Sequence, residues 1–171
     1  MSVAVELVAA RAEDEPVVSR LMQLYVHDLS DRVGMDIGED GLFPFAPEQR
    51  YWSEARYQPF LLRVGGRLSG FVVVDGVSRL SGEPVNDMSQ FFVLKRYRRK
   101  GVGRAAAITT FDRFPGTWEV REAPENAPAI AFWRSVIDGY TAGDFIDQAW
   151  DDARFRGQVQ RFEARPAHRA R

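Results

Sequence analysis

At 171 residues the chain is long enough for one domain to bury a full core, and its lack of cysteine excludes disulfides, thiolate nucleophiles and cysteine-ligated zinc. Its 24 acids and 23 bases nearly cancel, so a broadly basic nucleic-acid binder is excluded and nucleic acid is not an expected partner. His27 and His168 are the two histidines and fit no H-E-x-x-H pattern, so no metal is expected.

The opening "MSVAVELVAARAEDEP" has no basic region followed by a long apolar run, and no stretch of ~18 apolar residues occurs anywhere. A soluble cytoplasmic protein without membrane contact is therefore expected. "VAVELVAA" (3–10) predicts a first strand. Asp14 and Pro16 then start a helix expected to bury Val17, Leu21, Leu24 and Tyr25. "DRVGMDIGEDGLFPF" mixes Gly, Asp and Pro with isolated aromatics and predicts a loop over a binding face. "PEQRYWSEARY" (47–57) predicts a short second helix. Two apolar runs around Gly65-Gly66 predict an antiparallel hairpin, and "DMSQFFVL" (87–94) a further strand.

"GVGRAAAITTFDRF" (101–114) predicts a helix burying Val102, Ala105, Ala106, Ile108, Thr109 and Phe111, stopped by Pro115-Gly116. A strand at 117–122, a helix at 126–137 and two closing strands complete the order, a mixed sheet with helices on its faces. No linker or repeat divides the chain, so residues 1–165 form one expected domain, with 166–171 a frayed arginine-rich tail.

"KRYRRKGVGR" (95–104) holds six positive charges and two glycines, with no acid. A strand ending at Leu94 and a helix beginning near Gly101 aim several backbone N–H groups at one point, which makes an anion site. Gly101 and Gly103 let the anion approach closely, and Arg98, Arg99, Lys100 and Arg104 surround it with charge. Phosphate or pyrophosphate fits best. Gly101-x-Gly103-x-x-Ala106 also satisfies a dinucleotide fingerprint, with Glu122 about 20 residues downstream. Against it stand the charged loop between Leu94 and Gly101 and the hairpin before it. The Walker pattern is absent.

"VLKRYRRKGVGR" resembles the acyl-CoA-binding motif of the GNAT superfamily of N-acyltransferases. Val93, Arg98, Gly101, Val102 and Gly103 match; Lys95 replaces a frequent proline and Arg99 a frequent glycine. "EVREAPENAPAIAFWRSVIDGY" is similar to that family's next strand and helix, through Asn126, Ala129, Phe132, Gly139 and Tyr140. The likeness covers nearly the whole chain and includes a bacterial branch of predicted acetyltransferases. It implies an α+β domain: a central mixed, mostly antiparallel sheet of six to seven strands flanked by about four helices.

The resemblance further implies an N-acetyltransferase using acetyl-CoA as co-substrate and an amine as acceptor. In it the backbone from Arg98 to Gly103 would hold the pyrophosphate, and Phe91, Phe92 and Val93 would line the pantetheine arm. The Val93 amide would polarise the thioester carbonyl, and Asn126 would touch the arm. Glu119 is the expected base. The helix tyrosine that would protonate the thiolate is here Trp133, whose indole N–H is too weak an acid; Tyr140 or Tyr97 would have to substitute, and a thiolate with a pKa of ~8.5 can leave unaided. A CoA-binding regulatory module without turnover is the alternative, followed by a dinucleotide-binding protein. Gln90 would orient water or substrate. Asp28, Asp31, Asp36, Glu39 and Asp40 would favour a cationic acceptor, and Tyr25, Phe43, Phe45, Tyr51 and Trp52 would wall its pocket. A homodimer is left open.

Overall fold

Residues 3–165 are described by a computed structural model; the tail at 166–171, with His168, lies outside them. A short strand, β1 (Glu6–Ala9), leads into α1 (Glu15–Val33), which ends at Gly34 with left-handed backbone. A single turn, α2 (Arg50–Ser53), precedes β2 (Tyr57–Val64) and β3 (Arg67–Val77). Gly65 and Gly66 join these with φ of 54° and 73°, which gives the two-residue hairpin its tight turn. Then follow β4 (Pro84–Val93), α3 (Val102–Arg113), β5 (Gly116–Glu122), α4 (Ala127–Thr141), β6 (Phe145–Asp151) and β7 (Arg156–Ala164).

The strands form one sheet in the order β1-β2-β3-β4-β5-β7-β6. Only β4 and β5 run parallel among the paired strands. Side chains alternate across the sheet and split the core in two. Leu62, Val72, Val74 and Val93 pack with Phe111, Trp118, Trp133 and Ile137 on the α3/α4 side. Leu61, Phe71, Val73 and Phe92 pack with Val18, Leu21, Met22 and Tyr51 on the α1 side. With both faces covered, β3 is buried almost continuously.

Three sequence expectations need correction. The buried stripe of α1 is Val18, Leu21, Met22 and Val26, while Leu24 is 49% exposed; an apolar residue outside the i, i+4 stripe cannot reach the sheet. The second helix stops at Ser53 because Glu54 is extended, and Tyr57 is already paired with Asp75. In α3 the buried residues are Val102, Ala106, Ala107, Thr110 and Phe111, so Ala105, Ile108 and Thr109 turn partly outward. A helix with alanines on every side does not fix its own rotation; the Phe111 ring, wedged against Trp118 and Phe162, does.

The sheet opens between β4 and β5. β4 and β5 pair only at Asn86↔Trp118 and Asp87↔Glu119. Opposite β3 the register jumps from Val74↔Met88 to Val73↔Gln90, leaving Ser89 as an extra residue on β4. Such a bulge bends its strand, and beyond it β4 and β5 separate.

Candidate functional site

The gap between the splayed strands is a cavity of about 790 Å³, bordered by α1, β4, the basic loop, the end of β5 and the start of α4. Its size is that of a small-molecule site. A second cavity of about 230 Å³ adjoins it, and Tyr25, Ser89, Arg121, Glu122 and Asn126 border both.

One wall is an unpaired strand edge. Leu94 N–H donates to Ser69 O on β3 at 2.9 Å. Backbone groups alternate sides along a strand, so the N–H and C=O of Val93, and likewise of Phe91, face the cleft. Among the described residues β5 pairs with neither. Gly70 allows β3 to lie this close, because a Cβ there would collide with the Phe92 carbonyl.

The basic loop closes the end of that edge. Lys95–Tyr97 form one 3-10 turn, and Arg98 N–H donates to Lys95 O at 3.1 Å, which withdraws it from any anion. Arg99 and Gly101 are left-handed, with φ of 56° and 78°. The first bond inside α3 is Ala105 N–H to Gly101 O; the N–H groups of Val102, Gly103 and Arg104 therefore have no intrahelical partner. Gly103 abuts Phe132, whose ring would lie 3.3 Å from an added Cβ.

The charges of this loop divide. The Arg98 guanidinium donates to Val93 O at 2.6 Å, bonds the Asp28 carboxylate and lies over the Phe92 ring. Lys95 also pairs with Asp28, at 3.1 Å. Arg98 therefore ties the loop to β4 and α1. Arg99 and Lys100 form no ion pair among the described residues and stand exposed around the helix start, whereas Arg104, also without an ion pair there, reaches onto α4 and donates to Ser135 O at 3.5 Å. The arginine and lysine beside Asp28 hold its carboxyl below the usual range despite burial.

The two glutamates of "EVRE" lie on opposite faces. Glu119, 1% exposed, accepts from Ser78 Oγ at 3.0 and 3.2 Å and sits 3.6 Å from both Arg121 and Arg161. Burial raises its pKa against the Ser78 hydrogen bond, and it borders neither cavity. The structure thus does not bring Glu119, the base expected from sequence, to the cleft: a strand residue one step from Val120 must point the other way. Glu122 follows Trp118 and Val120 onto the α4 side and borders both cavities. Burial pushes its carboxyl up to about 7, against a Trp133 hydrogen bond and the nearby Arg121 charge. Asn126 Nδ2 lies 3.4 Å from its Oε2. Period-two alternation along β5 is the signal that could have separated these two acids.

Tyr140 is also drawn away. Its hydroxyl donates to Asp112 Oδ1 at 2.9 Å, its ring packs on Phe111, and burial beside Asp112 raises its pKa. It borders neither cavity, and Tyr97 packs on the core. Trp133 is 3% exposed, with Phe91 edge-on at 4.8 Å. Phe91, Phe92, Val93, Asn126 and Trp133 all border the larger cavity. Gln90 borders the smaller one and lies 3.5 Å from Tyr51 Oη.

Of the acids expected near an acceptor, Asp28 and Asp31 border the larger cavity, while Asp36, Glu39 and Asp40 border neither. Tyr25 is at the cleft, but Tyr51, Trp52 and Phe45 belong to the α1-side core. Phe43 is held by Gln23, whose side chain bonds both its N–H and its C=O. The dinucleotide arrangement is not present: β4, ahead of the glycines, pairs antiparallel with β3 and parallel only with β5. Among the described residues no cluster of three or more His, Cys, Asp or Glu could hold a metal ion, and no helix is long and apolar enough to cross a membrane.

Residues 18–137 match the family described as Acetyltransferase (GNAT) family. No curated protein matches the chain in sequence. Solved structures share the fold at low identity. An acetyltransferase from Thermus thermophilus aligns with TM-score 0.68 and 17% identity, over 95% of this chain and 99% of that one. A spermidine N-acetyltransferase from Vibrio cholerae, in complex with CoA and spermine, gives 0.60 and 12%, over 94% and 95%. The ribosomal-protein-S18-alanine N-acetyltransferase from Escherichia coli gives 0.53 and 16%, over 97% of each chain.

Proposed function

Because the chain belongs to the GNAT acetyltransferase family through residues 18–137, we propose that it moves an acetyl group from acetyl-CoA to a primary amine of a small molecule or peptide. The transfer is a direct attack within a ternary complex. One observation carries this reading: the cleft-facing edge at Phe91 and Val93 runs into the bare N–H groups of Val102, Gly103 and Arg104. An extended, amide-containing arm ending in a diphosphate complements that pair of features.

In this reading acetyl-CoA supplies the acyl group as a thioester. The helix start holds the diphosphate, with Arg99, Lys100 and Arg104 adding charge. Phe91, Phe132 and Trp133 wall the arm, with Asn126 at its side. The Val93 N–H stabilises the oxyanion that develops on the carbonyl. Placing two reactants side by side supplies as much as ~7–11 kcal/mol of the barrier reduction. No covalent enzyme intermediate is needed.

The test is a thermal melt with CoA, followed by thiol release from acetyl-CoA across a panel of amines. CoA at about 100 times its Kd stabilises by about 2.7 kcal/mol, so the melting temperature rises. No rise at millimolar CoA overturns the reading. A rise without thiol release from any amine favours the second reading, a CoA-binding module without turnover. The removal of Tyr140 to Asp112 and the presence of Trp133 at the tyrosine position are its motive.

A further inference from the structure

Two cavities meet at the end of β5, and the ionisable side chains that border both are few. From α1 come Tyr25 and Arg32; from β5 come Arg121 and Glu122. Arg121 is committed to Asp87, at 2.9 and 3.0 Å. Tyr25 is held protonated, its pKa raised by burial. Arg32 offers hydrogen-bond donors only and no site to accept a proton. Glu122 alone of the four can change its proton load near neutrality.

Its surroundings suit that change. Asn126 approaches one carboxylate oxygen at 3.4 Å, and the Trp133 indole on α4 shares the wall of the larger cavity with it. The Asn126 amide orients the carboxylate, and neither side chain can take its proton. Gln158 lies opposite on β7, Ser89 borders the same cavities from β4, and Glu125 borders the smaller one. No arginine is bonded to Glu122 among the described residues, in contrast to Glu119 and Asp87.

We propose that the smaller cavity receives the acceptor amine and that Glu122, at the junction of the two cavities, takes the proton the amine must lose. This rests on the acetyl-transfer reading. An alkylammonium gives one proton to the Glu122 carboxylate; its nitrogen then forms the N–C bond as the C–S bond breaks, with the electron pair leaving on sulfur. The second nitrogen proton neutralises the thiolate, and Glu122 returns its proton to solvent. Glu119 holds β5 to β7 and the loop after β3 through Arg161 and Ser78, and plays no part in the transfer.

The experiment compares wild type, Glu122→Gln and Glu119→Gln in the full chain. Its acceptors are butylamine, almost wholly protonated at neutral pH, and hydroxylamine, mostly unprotonated there. Glu122→Gln is expected to lower kcat with butylamine by about 100-fold or more, with far less loss toward hydroxylamine and unchanged CoA affinity. The acid limb of wild-type kcat/KM, near pH 7, disappears in Glu122→Gln and persists in Glu119→Gln. Equal losses with both acceptors, or an acid limb surviving in Glu122→Gln, overturn the assignment. An acceptor-free measurement stands beside these: 13C titration of the Glu122 carboxyl in the CoA-bound protein. A midpoint near 7 supports the proposal, and one in the ordinary glutamate range overturns it. Failure to bind CoA at all refutes acetyl transfer itself, whereas CoA binding with an ordinary Glu122 refutes this assignment alone.

Discussion

Arg99 holds φ at 56° in the loop before α3, a left-handed conformation that costs a non-glycine residue about 1–2 kcal/mol. A glycine is frequent at this place in the family that the loop resembles, and the backbone explains why. Arg99→Gly should therefore raise the unfolding free energy by about 0.5–1 kcal/mol, the strain relieved less the entropy glycine adds to the unfolded chain. It should also weaken CoA binding several-fold, since one cation leaves the proposed diphosphate site. Denaturant unfolding and CoA titration check the two effects separately. Neighbouring Arg98 illustrates what residue type alone does not reveal. Its charge is legible in the sequence, but its commitment to Val93 O and to Asp28, 70 positions away, is not. The same holds for "EVRE": two like residues three apart on a strand, of which one is locked among arginines and the other borders the cleft.

At the scale of elements, the cleft is made by strand geometry. β3 and β4 lie close at Gly70, β4 carries an extra residue at Ser89, and β4 leaves β5 after Asp87. Gly70→Ala would drive a methyl group into the Phe92 carbonyl, so β3 and β4 must part. A loss of about 2 kcal/mol or more is expected, together with weaker CoA binding, because the displaced segment is the cleft edge; thermal melts with and without CoA report both. Element order, the Gly-Gly hairpin and the strand–loop–helix around the basic stretch were all readable from periodicity and turn residues. Helix rotation was not. α1 and α3 each sit about one residue from the phase their apolar residues suggest, since contacts with Phe71 or Trp118 set the angle, and those partners are remote in sequence.

For the molecule as a whole, Glu122 links the cleft to stability. Its carboxyl is raised from 4.5 to about 7 in the folded protein. The folded state then binds its proton more tightly than the unfolded one, so this group's contribution falls as pH rises from about 4.5 to 7. The full cost above that window is about 3 kcal/mol. Urea unfolding should show Glu122→Gln more stable than wild type at pH 8 and nearly equal at pH 5; a variant less stable than wild type at pH 8 would contradict the sign. The sequence by itself determined the family, the order of elements, the basic loop that carries Gly101 and the aromatic wall of the cleft, because each is written in residues close together along the chain. Which glutamate reaches the cleft, where Tyr140 spends its hydroxyl and where β4 parts from β5 were decided only in the tertiary structure. Those outcomes depend on side-chain facing, burial and partners 28 to 41 positions away, quantities that exist only once the sheet has closed.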